Sequence, residues 1–179
     1  MLPAWMLPNG WRRIVSKKKF PFRIQMTTAQ EDFMDACREG DLQRIKQMIS
    51  EGNVKVDHTA LFMACMEGHL EVMKWLTTEC KLNVHVTGPR AISQLHVACL
   101  CGHLPIARWL VTECEVYPDL PDITWTTPLY FACQDQSLDL VKWLVIDCKA
   151  DPDLKTIKGV SPRYVARGEV AEWMAKNCK

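Results

Sequence analysis

The stretch Thr127-Pro128-Leu129-Tyr130-Phe131-Ala132-Cys133 decides the reading of this chain. Thr127 is a natural N-cap, because its hydroxyl accepts from a backbone N–H that the first helical turn leaves unpaired. Pro128 follows at the first helical position, where its missing N–H costs nothing. The small pair Ala132-Cys133 lets a neighbouring helix approach closely. The same pair recurs as Ala36-Cys37, Ala64-Cys65 and Ala98-Cys99, with steps of 28, 34 and 34 along the series. Trp75, Trp109 and Trp143, each followed by Leu, keep the step of 34, as do Cys80, Cys114 and Cys148. Thr59, Ser93, Thr127 and Ser161 do so as well. Several residue types sharing one period predict a tandem array.

Each unit reads as two short helices. Thr59, Ser93, Thr127 and Ser161 are the expected caps of the first helix, and Gly40, Gly68 and Gly102 its expected breaks. The second helix carries apolar residues at helical spacing, as in Leu104, Ala107, Trp109 and Leu110. Turn-rich stretches separate the units: Thr87-Gly88-Pro89, Tyr117-Pro118-Asp119 with Pro121-Asp122, and Lys158-Gly159.

The 127–133 stretch, together with Gly68-His69-Leu70-Glu71-Val72, resembles the ankyrin repeat, whose hallmark runs T-P-L-H-x-A and then G-H-L-x-x-V. The resemblance implies an all-α solenoid of stacked helix-turn-helix units with β-hairpin-like loops. Residues 26–179 form the expected repeat domain, with units at about 29–57, 58–90, 91–124, 125–158 and 159–179. The first unit reads as an N-terminal cap. In the last, Trp143 to Trp173 is only 30, which we read as a shorter inter-helix turn, and its polar final helix reads as a C-terminal cap. Trp125 and Ala91 stand where the family has a hairpin glycine, and Lys81, Glu115 and Lys149 where it has one after the second helix. Irregular hairpins are the expectation.

The 179 residues are 48% hydrophobic and 24% charged, which excludes wholesale disorder. No apolar run approaches the ~20 residues of a membrane-spanning helix. The net charge of +1 hides a split. Residues 1–25 carry six bases (Arg12, Arg13, Lys17, Lys18, Lys19, Arg23) and no acid; the remainder has 16 bases against 21 acids. This leader reads as a solvated tail, with nuclear import, contact with an acidic surface or a transit peptide as functional alternatives. Nine cysteines without a signal-like start point to an intracellular, mainly cytoplasmic or nuclear, setting.

Eight cysteines fall on two register positions, as small packing residues do; equivalent positions in stacked units lie too far apart for disulfides. Cys101, in Cys99-Leu100-Cys101-Gly102-His103, is the exception, but no Cys-x-x-Cys pair completes a zinc site. The resemblance implies that His69, His103 and His96 bond backbone groups within and between units, while His58 and His85 lie near hairpins. No nucleophile with an oriented base and no phosphate loop is present, so no catalytic residue, cofactor or metal is assigned.

The resemblance implies a non-catalytic, monomeric protein-binding module. Carried over by register, its contact positions on the first helices are Arg38, Glu39, Met66, Glu67, Leu100, Cys101, Gln134 and Asp135. On the hairpins they are His58, Arg90, Ile92, Ile123, Thr124 and Trp125. The acids among them suggest a protein partner with a basic and apolar strip, and no small-molecule substrate. Trp125 either folds back onto a neighbouring unit or stands exposed as an anchor. Rival readings are an adaptor for nucleic acid or membrane surfaces acting through the leader, and a redox or metal sensor built on Cys101. The expected tryptophan ladder, Trp75, Trp109 and Trp143, is buried.

Overall fold

The computed structural model describes residues 27–178. The basic leader lies outside the described residues. Among the described residues, ten α-helices pair into five units: α1 (Thr28–Glu39) with α2 (Leu42–Ser50), α3 (His58–Glu67) with α4 (Leu70–Thr78), α5 (Gln94–Leu100) with α6 (Leu104–Thr112), α7 (Pro128–Asp135) with α8 (Leu138–Ile146), and α9 (Pro162–Val165) with α10 (Gly168–Asn177). Successive first helices pack side by side, with the second helices behind them. Two leucine ladders run through the stack. Leu61, Leu95 and Leu129 share one position and continue from Phe33; Leu76, Leu110 and Leu144 share another, and none of these side chains is exposed. Each unit thus completes its core only through its neighbours.

The caps hold in part. Thr127 accepts from the Tyr130 N–H, and Ser93 forms a capping box with His96. Thr59 does not cap: the chain enters α3 two residues earlier, and the Asp57 carboxylate accepts from the Thr59 N–H at 2.9 Å. Ser161 sits at its N-cap without a side-chain bond. Thr27, before the first unit as drawn, caps α1 through the Gln30 N–H. Gly40 and Gly68 end their helices in the left-handed region, at φ 75° and 87°, and Gln136 takes that conformation (φ 64°) in the fourth unit without being glycine.

Two further expectations need correction. The four residues missing from the last unit come out of its first helix, not its turn. The helix α9 has four residues against eight in α7, and two residues join the helices in both units. The tryptophan ladder is buried only at Trp143 (4% exposed); Trp75 and Trp109 are half-buried on the outer side of the second helices. The final helix does act as a polar cap, with Val170 and Met174 turned inward and Glu169, Glu172 and Lys176 exposed.

Candidate functional site

The last three connections between units close as hairpins. The Gly88 N–H donates to the Ile92 carbonyl (2.8 Å), Asp122 to Thr126 (2.9 Å) and Thr156 to Val160 (3.0 Å), one repeat apart each time. The loop between each pair has three residues, a form that closes with its last residue left-handed. Ala91 (φ 57°), Trp125 (φ 59°) and Gly159 (φ 75°) occupy that place. The closing bond and the left-handed last residue survive the loss of glycine, at about 1–2 kcal/mol for a side chain such as Trp125, while the first loop is irregular as expected, with Arg90 left-handed as well (φ 64°). Lys81, Glu115 and Lys149 likewise keep φ near 56–59°.

Neighbouring tips are tied by backbone bonds. The Ile123 N–H donates to the Arg90 carbonyl and the Ile157 N–H to the Thr124 carbonyl, both at 3.0 Å. Inside the middle tip, one Asp122 carboxylate oxygen accepts from the Thr124 N–H and hydroxyl (2.7 Å each) and the Thr126 N–H (2.9 Å). That network rigidifies the loop, and Asp122 is buried. At the other end of the row the first unit has no full hairpin. There the Gln30 amide takes the neighbour's part, accepting from the Lys55 N–H at 2.8 Å and donating to the Lys55 carbonyl at 2.9 Å.

The rigid tips carry apolar side chains into water. Ile123 is 61% exposed, Trp125 64% and Ile157 65%. Of the two fates open to Trp125, the structure shows the exposed one. Leaving such side chains in water forgoes about 1.5–3 kcal/mol apiece. Neither Ile157 nor the 81%-exposed Tyr164 was among the expected contacts. The register contained the signal for Ile157, which is 34 beyond Ile123, but none for Tyr164, whose counterpart Tyr130 is half-buried.

On the first helices, Leu100, Cys101, Ile92 and Met66 come together with His96 and Phe131 around a shallow apolar depression. Met66 is 7% exposed, so it floors this face instead of projecting from it. His58 is not at a hairpin: it is the first residue of α3, half-buried, with Nε2 shielded and unpartnered. Glu39 is held by Arg44 at 3.4 Å, Arg38 is paired with Asp35, and the Ser137 hydroxyl donates to Asp135 at 2.6 Å. Of the acids expected to face a partner, Glu67 alone is exposed without such an engagement. Gln134 is half-buried, its amide oxygen shielded and unpartnered.

The histidines bond as the resemblance implies. His69 Nε2 donates to the Arg38 carbonyl (2.8 Å) and His103 Nε2 to the Met66 carbonyl (2.9 Å), each linking one unit to the preceding one. His96 reaches forward: its Nε2 donates to the Thr126 carbonyl (3.1 Å), while Nδ1 accepts from the Ser93 N–H (3.1 Å) and hydroxyl (2.7 Å). This assignment places one proton on the ring, and burial lowers the His96 pKa to about 4.

No disulfide joins any of the nine cysteines, all of which lie among the described residues. Cys37, Cys65, Cys99 and Cys133, in the first-helix position, are buried, and so is Cys178 at the end of the last unit's second helix; Cys80, Cys114 and Cys148 are half-buried, so packing there is looser than their register suggests. Burial raises the thiol pKa values, to about 12 at Cys37 and Cys133 and about 11 at Cys148. Among the described residues, no cluster of His, Cys, Asp and Glu side chains is arranged to hold a metal ion. None of the described helices is long and apolar enough to cross a membrane.

Comparison with known proteins gives no match among curated sequences. A family model for ankyrin repeats, three copies long, matches residues 33–122 and again 88–156. The two matches span more than half of the chain and coincide with the stacked helix pairs and hairpins described above. The chain belongs to the ankyrin repeat family.

Proposed function

We propose that residues 26–179 act as a non-catalytic protein-docking module inside the cell, with residues 1–25 as an accessory basic segment. Members of the family are generally protein–protein interaction modules, which supports the class. The observation that carries it here is the apolar surface of the hairpin tips. Ile123, Trp125 and Ile157 are exposed on loops fixed by backbone bonds, and no packing need explains a tryptophan at a left-handed position. Residues held in such a conformation persist where the cost is compensated. The apolar depression at Leu100 and Cys101 extends the surface along the first helices.

A photo-crosslinking amino acid placed at Trp125 or Leu100 tests this reading against the same reporter at Lys74 or Lys142, on the second helices. Protein adducts should form at the first pair of positions, and Leu100→Arg with Glu67→Lys should abolish them without changing the melting temperature. Adducts formed only at Lys74 and Lys142, and insensitive to Leu100→Arg, would place docking on the opposite face and overturn the assignment.

A further inference from the structure

The third and fourth units leave apolar side chains uncovered where their second helices end, apart from those at the tips. Tyr117 and Leu120 follow α6, Ile146 is the last residue of α8 and Leu154 follows it, and all four are exposed. The two loops are joined, since the Asp119 carboxylate accepts from the Asp151 N–H at 3.2 Å. The first five residues after each of these helices, 113–117 and 147–151, hold four exposed acids, Glu113, Glu115, Asp147 and Asp151, against one base, Lys149. Residues 26–179 have 21 acids and 16 bases, so these two short segments supply three of the five excess acids. None of the ion pairs among the described residues involves any of the four. Glu113 and Asp147 also close their helices at the end where the dipole favours a cation.

An uncovered apolar patch among unpaired acids suits an occupant that is both basic and apolar, and the chain carries one. Residues 11–23 hold six bases and no acid, interleaved with Trp11, Ile14, Val15, Phe20 and Phe22. We propose that this segment docks on its own repeat body. Its apolar side chains sit on Tyr117, Leu120, Ile146 and Leu154, and its bases face Glu113, Glu115, Asp147 and Asp151. The hairpin tips suit it less, because their loops carry Lys158 and no acid.

Reach and position allow the contact. Helices joined by two-residue turns are antiparallel, so the first helices begin at the edge where the second helices end. Thr27, which caps α1, therefore lies on the same edge as the patch. With packed helices ~8–10 Å apart, the patch is about 20–30 Å along the stack from the first unit. Residues 11–26, fully extended, span about 50 Å. Tethering raises the local concentration of the segment, so contacts too weak for a free peptide suffice.

The test uses the full chain and a water-soluble carbodiimide, which couples lysine amines to carboxylates without a spacer, with the links mapped by mass spectrometry. Lys17, Lys18 and Lys19 should link mainly to Glu113, Glu115, Asp147 and Asp151, and high salt should lower the yield severalfold. Tyr117→Ser combined with Ile146→Ser should lower it severalfold too, with the helical circular dichroism unchanged, and Lys149→Glu should raise it. Links confined to Glu31 and Asp32, beside the start of α1, or spread evenly over all exposed carboxylates, overturn the inference. A yield indifferent to Tyr117→Ser and Ile146→Ser removes the apolar seat and overturns it as well. Links joining light to heavy chains in an isotope mixture assign the segment to a second copy and overturn the contact within one chain.

Discussion

The guanidinium of Arg108 lies over the Trp143 ring, 5.3 Å from its centroid, joining the second helix of one unit to that of the next. Lys46 repeats the relationship over Trp75 at 5.6 Å. Lys46, Lys74, Arg108 and Lys142 share one register position, and the contact forms at Lys46 and Arg108. The stem of such a side chain covers apolar surface while its head meets the negative ring face.

Removing that cation should loosen the interface between the third and fourth units. We expect Arg108→Gln to cost about 0.5–1 kcal/mol, and Arg108→Lys less, because an ammonium already serves over Trp75. Urea midpoints check this; equal midpoints for the wild type and Arg108→Gln would show the contact to be energetically empty.

The leucine ladder should matter more than the tryptophan ladder. Leu110 is wholly buried and Trp109 only half-buried. Leu110→Ala should cost about 3–5 kcal/mol and broaden the transition, whereas Trp109→Ala should cost about 1–2 kcal/mol. Calorimetry of the two variants ranks them, and the reverse order would refute the packing described.

Acid should act through His96. Its folded pKa of about 4 lies below the 6.5 of a free imidazole, so the fold binds fewer protons than the unfolded chain across that interval. The contribution is fully present above pH 6.5, falls as the pH drops, and is gone below about pH 4. At most about 3 kcal/mol is at stake. His96→Gln should be less stable than the wild type at pH 7 yet lose less between pH 7 and pH 5 by thermal melting. Parallel losses would remove His96 from the account.

Gln94 is a local misfit. It occupies the first position of α5, where the units at Pro128 and Pro162 have proline, and it is fully buried with neither amide atom partnered. Ser93 already has the extended backbone (ψ 168°) that a following proline requires. Gln94→Pro should therefore stabilise the chain by about 1 kcal/mol, through a relieved buried amide and a stiffer unfolded chain. A lower denaturation midpoint would mean that the Gln94 side chain contributes packing that outweighs its unpaired groups.

The repeated motifs were enough to identify the family and the helix pairs, and the resemblance they carry implied the structural histidines. Each rests on a local pattern that repeats, and a repeated pattern reports which residues share an environment. It does not report how fully that environment is covered. Coverage depends on what the adjoining unit places opposite: Trp143 is sealed beneath Arg108 while Trp109, with the same register, is half open. Only the packed chain decided that Met66 turns into the floor of its face, and that Glu39 and Asp135 are engaged within the chain. The shortened α9, with its turn kept at two residues, was equally out of reach, because spacing alone counts residues without saying which element loses them. The hairpins show the same division. Sequence marked the missing glycines, but backbone bonds between tips hold Ala91 and Trp125 left-handed, and those bonds join residues a whole repeat apart.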